Sequence, residues 1–354
     1  MKNVVVIMAG GKGERFWPMS KSNMPKQFLN LIDPAKSMIQ LTVERVTPLV
    51  DFKDIYVVTN ESYKNIVYEQ LNNIPRENIL FEPFGRNTAP CIGFACSVIK
   101  KRYENANVIV LSSDHAIENN KIFIENLKKA LECSIDKNIV TLGIVPNRIE
   151  TGYGYIKLGE SFNGSYKVEK FVEKPCYELA KEYYESKNYL WNSGMFIFQN
   201  EIMIDSFKKF MPKLYKSLSK IESVVDSNQF NEVLKVEFEN MESISIDYGV
   251  MEHAENIYVV PCSCGWDDVG SWLSVSRLRN CDDDGNINDG NNLLLDSKNN
   301  IVLNTDNKKL IALYGLENYV VVNTNDTILI VPKDKTPEIK KLISEVKTKK
   351  KEYL

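Results

Sequence analysis

Hydrophobic residues in the first 150 positions come in short β-branched runs separated by stretches of helical period. Val4-Val-Val-Ile7, Ile55-Tyr-Val-Val58, Val108-Ile-Val-Leu111 and Ile139-Val-Thr-Leu142 lack the polar alternation of a half-buried strand. Such runs read as strands covered on both faces, as in a parallel sheet. Between them Ile39, Val43 and Val46 recur at helical spacing, and Thr88 to Tyr103 carries a longer helical segment. Strand and helix in alternation predict a doubly wound α/β sheet, whose ligands lie beyond the carboxyl ends of the strands.

From about Tyr153 the pattern is mixed. Short strands are expected at Tyr153–Leu158, Val168–Val172 and Met195–Phe198, followed by helices through 200–236. Asp282-Asp-Asp-Gly-Asn-Ile-Asn-Asp-Gly-Asn-Asn292 is turn-rich and reads as a solvated linker; it lacks the ligand spacing and closing glutamate of a calcium loop. Beyond it, apolar runs at 293–295, 301–303, 310–313, 320–322 and 328–331 are separated by Asn, Asp and Gly, which predicts a small β-solenoid or β-roll. A terminal helix should start at Pro337 and fray into Lys347–Lys351. The expected organisation is therefore a large domain over 1–281, a linker over 282–292 and a β-rich segment with terminal helix over 293–354.

Composition narrows the chemistry. The 354 residues suffice for one large domain plus a small one, and a net charge of −3 with interspersed signs leaves no footprint for nucleic acid. No apolar stretch approaches the length of a membrane span, and the chain enters a strand at once, without the features of a signal peptide, so a cytoplasmic protein is expected. The seven cysteines are scattered and odd in number, and Cys262-x-Cys264 lacks further zinc ligands; they read as reduced and structural. With only His115 and His253, hydrolase triads and multi-histidine metal sites are disfavoured.

The most informative stretch follows the first strand: Met8-Ala-Gly-Gly-Lys-Gly-Glu-Arg-Phe-Trp-Pro-Met-Ser20, then Met24-Pro-Lys-Gln-Phe28. Gly10, Gly11 and Gly13 let backbone N–H groups face one concavity suited to polyphosphate oxygens, and Arg15 and Lys26 add positive charge beside it. The third glycine of a dinucleotide fingerprint is missing, and no Gly-Lys-Ser/Thr loop is present. The whole string resembles the signature of the sugar-phosphate nucleotidyltransferases, and Pro25-Lys-Gln-Phe28 resembles the subgroup that uses GTP and mannose 1-phosphate. That resemblance implies a Rossmann-like doubly wound mixed-sheet nucleotidyltransferase domain with a small C-terminal β-solenoid-like domain. It further implies a magnesium-dependent enzyme that makes GDP-mannose and pyrophosphate. Some relatives carry a fused histidine-rich isomerase domain, for which this chain has neither the length nor the histidines.

Nucleotidyl transfer needs alignment and charge neutralisation more than covalent help, and magnesium takes one or two carboxylates plus waters. Asp114, just after the run 108–111, is the first candidate ligand; it could instead cap a helix, but no amphipathic pattern begins until about Lys121. Asp268, in Gly265-Trp-Asp-Asp-Val-Gly-Ser-Trp272, resembles the family's second metal motif, with Asp267 facing the opposite way by strand alternation. Arg15 offers a planar fork to β- and γ-phosphate oxygens, and Lys26 a point charge for the α-phosphate and departing pyrophosphate.

Phe81–Pro90 is similar to the family stretch over the base, making Glu82 and Asn87 candidates for guanine, with Thr88 as a helix cap. Phe171-Val-Glu-Lys-Pro175 resembles the sugar-phosphate motif: Glu173 accepts from hydroxyls and Lys174 neutralises the 1-phosphate. Gly152-Tyr-Gly-Tyr155 and Trp191–Phe196 match stretches enclosing the sugar, with Gly152 allowing close approach and Asn192 a hydrogen-bonding group. Asp247 could equally be structural. Glu14, Phe16 and Lys21 depart from the family pattern, and Glu14 leaves its direction open. Two rivals remain: the same chemistry on another pair, such as glucose 1-phosphate with dTTP or ATP, and a non-catalytic regulatory homologue. The β-rich tail suggests packing or contact between copies in a homodimer.

Overall fold

The computed structural model describes residues 1–11 and 13–354; Lys12, inside the glycine string, lies outside the described residues. The chain begins with β1 (Lys2–Ala9), α1 (Met38–Val46), β2 (Ile55–Asn60), α2 (Lys64–Gln70), β3 (Ile79–Glu82), α3 (Thr88–Arg102) and β4 (Ala106–Ser112). The two-residue strand β5 (Ala116–Ile117), α4 (Asn120–Ser134) and β6 (Ile139–Ile144) follow. Strand period decides which core each residue of the first run joins. Val5 and Ile7 pack with Ile39 and Val43 of α1, Val67 of α2 and Phe123 of α4, whereas Val4 and Val6 turn to the other face, with Ile92 and Phe94 of α3. That four-residue run, buried on both sides, makes the sheet doubly wound.

The second half adds β7 (Tyr155–Phe162), β8 (Ser165–Val172), α5 (Tyr177–Ser186), β9 (Tyr189–Gln199), α6 (Asn200–Phe210), α7 (Pro212–Val224), α8 (Phe230–Asn240), β10 (Ile257–Cys262), β11 (Trp266–Asp267) and α9 (Trp272–Leu278). Nine strands form one sheet in the order β3-β2-β1-β4-β9-β6-β10-β8-β7. β1 runs parallel to β2 and β4, and β6 parallel to β10, while β9 enters antiparallel between β4 and β6. The sheet is therefore mixed. Among the described residues no helix is long and apolar enough to cross a membrane.

The remainder is a small β-roll: β12 (Ile287–Asp289), β13 (Asn292–Leu295), β14 (Ile301–Asn304), β15 (Ile311–Tyr314), β16 (Tyr319–Asn323) and β17 (Ile328–Pro332), closed by α10 (Ile339–Lys349). β12, β14 and β16 stack in parallel, as do β13 and β15. Asparagines at the corners explain the polar spacers in the sequence. The buried Asn286 side-chain oxygen accepts from the Asn300 backbone N–H at 2.9 Å, and Asn323 donates to Asn304 at 2.8 Å. Each satisfies groups that burial would otherwise leave unpaired.

Two boundaries differ from expectation. Residues 282–292 are not a solvated linker: β12 pairs with β14, Ile287 is buried, and Asp282 accepts from the backbone N–H groups of Asp284 and Asn286. The aspartate-rich turn is the first corner of the roll. The last α-helix starts at Ile339 rather than Pro337, because a tighter 3-10 turn over Lys333–Glu338 contains the proline.

Candidate active site

The glycine loop leaves β1 at Ala9 with Gly11 at φ 106° and Gly13 at φ 58°, conformations that favour glycine. A Cβ added to Gly10 or Gly11 would meet nothing within 4 Å, so this backbone faces open space; on Gly13 it would lie 2.3 Å from Lys26 Cβ. Gln27, buried beneath the loop, donates to the carbonyls of Ala9 at 2.9 Å and Gly11 at 3.4 Å. Lys26 is also buried, only 6% exposed, which is unusual for an ammonium and requires partners. It has two: Nζ donates to the Asp114 carboxylate at 2.8 Å and to the Asp268 carbonyl at 2.7 Å.

Pairing of β5 with β11, in register Ala116↔Asp267, brings the two aspartate segments together. Asp114 does not cap α4; Asn119 does. Burial acts to raise the Asp114 carboxyl, but the Lys26 ammonium, His115 and the Ser112 hydroxyl, which donates at 2.6 Å, outweigh it and hold the group below the usual carboxylate range. Asp268 Oδ1 accepts from the Tyr153 hydroxyl at 2.8 Å and from the Gly270 N–H at 3.1 Å. A Cβ on Gly270 would stand 2.8 Å from the Asp268 carboxylate and 3.3 Å from the exposed Arg15 guanidinium, so these two groups converge there. Asp267, in contrast, is buried, ion-paired with Arg277 at 2.6 Å, and accepts from the Val269 N–H at 2.8 Å. Val269 sits at φ 48°, a costly conformation for a β-branched residue, held by this turn.

Glu82 ends β3 opposite Asn60, two strands from the loop, or about 10 Å across the sheet. Its Oε1 is buried without a partner, and burial pushes the carboxyl up to about 7, partly offset by the Cys91 thiol. Asn87, exposed at φ 69°, caps α3 by accepting from the Thr88 N–H at 2.8 Å; Thr88 is thus the first helical residue rather than the cap.

A second cluster lies one residue along from Tyr153. A Cβ on Gly154 would come 2.9 Å from a Glu173 carboxylate oxygen and 3.5 Å from Asn192 Cβ. The Asn192 N–H donates to the Gly154 carbonyl at 2.8 Å, and its side chain donates to Asp247 at 2.9 Å. Burial, with the neighbouring Glu173 carboxylate, raises the Asp247 carboxyl. Lys174, at φ 37°, pairs with the adjacent Glu173, both exposed. Gly154 thus backs directly onto Glu173 and Asn192, whereas Gly152 is exposed and its N–H donates to Glu150 at 3.0 Å.

Tyr153, Arg148 and Gln27 received no role from the sequence. Tyr153 packs edge-on against Trp191 at 5.2 Å and Trp266 at 5.1 Å, with Arg148 over Trp191 at 5.0 Å. Each aromatic precedes a cleft residue: Tyr153 before Gly154, Trp191 before Asn192, Trp266 two before Asp268. Alternation along β9 turns the Trp191 ring into the core and Asn192 outward; for all three motifs the signal present in the sequence is an aromatic at or near the head.

The family model described as nucleotidyl transferase matches residues 4–283, and that of the MannoseP isomerase/GMP-like beta-helix domain matches residues 290–346. The chain is 39% identical over 352 residues to a mannose-1-phosphate guanylyltransferase of Salmonella muenchen, covering 98% of this chain and 74% of that protein. It is 37% identical over 366 residues to mannose-1-phosphate guanylyltransferase 2 of Escherichia coli O157:H7, covering 99% of this chain and 75% of that one. The crystal structure of mannose-1-phosphate geranyltransferase from Thermus thermophilus superposes with a TM-score of 0.88 at 32% identity, covering 98% of this chain and 100% of that chain.

Proposed function

The chain belongs to the nucleotidyl transferase family, and on that footing we propose that its cleft joins GTP and mannose 1-phosphate into GDP-mannose and pyrophosphate. A phosphate oxygen of the sugar phosphate attacks the α-phosphorus of GTP in line. The bond from that phosphorus to the α–β bridging oxygen breaks, and pyrophosphate leaves without a covalent enzyme intermediate. The open backbone of Gly10 and Gly11 receives triphosphate oxygens, with Gly13 closing the turn against Lys26. Arg15 forks onto the outer phosphates, and Lys26 stabilises charge at the α-phosphate. Glu82 accepts from guanine N–H donors, beside Asn87 at the rim; Glu173 and Asn192 bind sugar hydroxyls, and Lys174 meets the 1-phosphate.

Asp114 and Asp268 suit magnesium. They are partly exposed hard-oxygen donors, and magnesium takes one or two carboxylates while retaining most of its waters. When bound, magnesium supplies positive charge to the triphosphate.

The observation that carries this reading is Lys26 joining the Asp114 carboxylate to the backbone carbonyl of Asp268, which lie 88 and 242 residues away in the chain. The test is product identification with a panel of nucleoside triphosphates and sugar 1-phosphates, following magnesium-dependent pyrophosphate release. GTP with mannose 1-phosphate should turn over fastest. Rapid use of dTTP with little use of GTP would overturn the guanylyl assignment, and undiminished release by Asp268→Ala would overturn the metal assignment.

A further inference from the structure

The segment carrying Arg15 is held from behind by the C-terminal part of the chain. Trp17 Nε1–H donates to the Tyr353 carbonyl at 2.9 Å, and the Ser22 hydroxyl donates to the Leu354 carbonyl at 3.2 Å. Lys21 Nζ reaches both carboxylate oxygens of Asp326, at 2.6 and 2.5 Å. These contacts join residues 305 to 336 positions apart. Phe16 and Trp17 are buried in one apolar cluster with Ile339 and Ile343 of α10 and with Ile301, Val320 and Leu329 of the roll. On its other side Phe16 meets Trp272 edge-on at 5.1 Å and lies 6.0 Å from the Lys26 ammonium.

Only Glu14 and Arg15 stand between Gly13 and the anchored Phe16. Fixing the backbone on both sides of so short a piece removes most of the conformational freedom the guanidinium would otherwise lose on binding phosphate. We propose that the tail from α10 onward, together with Asp326, positions the triphosphate loop: acting through Phe16, Trp17 and Lys21, it sets where Arg15 stands and so governs nucleotide binding rather than sugar-phosphate binding. This rests on the nucleotidyl-transfer reading above. The Lys21–Asp326 pair is partly exposed and weak alone, whereas the indole hydrogen bond and shared apolar cluster add to it. A double variant is therefore the informative one.

Trp17→Phe keeps a ring but removes the donor, Asp326→Asn removes the ion pair, and Asp326→Glu retains it. Steady-state kinetics with GTP and mannose 1-phosphate are paired with amide hydrogen exchange on the substrate-free protein. The Trp17→Phe/Asp326→Asn protein should show a KM for GTP raised about five- to twentyfold and a KM for mannose 1-phosphate within about twofold. Exchange should quicken in the peptide spanning 10–24 and not in that spanning 171–192, and Asp326→Glu alone should match wild type. Any other combination, including equal rises in both KM values or unchanged exchange in 10–24, overturns the positioning role. Failure of the wild-type protein to use GTP would instead refute the catalytic reading, because the exchange measurement needs no substrate.

Discussion

The Tyr153 hydroxyl donates a 2.8 Å hydrogen bond to the Asp268 carboxylate, while Gly154, the next residue, backs onto Glu173 and Asn192. One step of chain therefore connects the carboxylate proposed for the metal with the cluster proposed for the sugar. Tyr153→Phe keeps the ring among Trp191, Trp266 and Arg148 and deletes the hydroxyl, which donates to Asp268 and accepts from Arg148 at 3.2 Å. A hydrogen bond to a charged group contributes about 1.5–3 kcal/mol to the folded protein, so stability should fall by about that amount, and kcat/KM, through loss of Asp268 positioning, roughly ten- to a hundredfold. Kinetics and a melting curve on the same preparation check this.

The adjacent aspartates should separate stability from activity. Asp267→Ala removes the partner of Arg277 and the acceptor for the Val269 N–H, and should destabilise folding by about 2–4 kcal/mol, measured by denaturant unfolding. Asp268→Asn keeps an acceptor for the Tyr153 hydroxyl and the Gly270 N–H, and should leave unfolding within about 1 kcal/mol of wild type while lowering pyrophosphate release by about a hundredfold or more.

Glu82 predicts a pH dependence. Burial pushes its carboxyl from an ordinary value of 4.5 up to about 7, so the folded protein binds the proton more tightly than the unfolded chain. Stability from this group is thus present at low pH and falls as pH rises from about 4.5 to 7, by roughly 3 kcal/mol in total. Glu82→Gln should unfold less readily than wild type at pH 8 and differ little at pH 4. The ionised carboxylate is the form that accepts guanine N–H donors, so preference for GTP over ITP, which lacks the exocyclic amino group, should rise through pH 7 in wild type. In Glu82→Gln the preference should stay flat.

Gly154→Ala places a methyl group 2.9 Å from Glu173, which must swing away from Asn192. The KM for mannose 1-phosphate should rise about three- to tenfold while that for GTP holds. Gly152→Ala meets only the flexible Glu150 carboxylate, at 3.2 Å, and should be close to silent in both.

Much of this architecture could be read along the chain. The four apolar runs became β1, β2, β4 and β6, and the spacers of the tail became the corners of a parallel roll, because side-chain burial and turn chemistry are expressed within a few residues. The glycine string announced an open turn for the same local reason. Asp267 and Asp268 differ in what they meet, Asp267 the Arg277 guanidinium and Asp268 the Tyr153 hydroxyl. Which of the two glycines backs onto Glu173 was not legible, because Gly152 and Gly154 sit in equivalent local surroundings and differ only in what distant strands bring against them. The turn at 282–292 looked solvated because its partner, β14, supplies the pairing from outside it. Lys21 and Trp17 likewise had no visible partner until Asp326 and Tyr353 arrived from more than 300 residues away. Short-range preferences set the elements and the chemical alphabet of the cleft; long-range packing chose which of those groups meet, since register and docking depend on contacts that no local window contains.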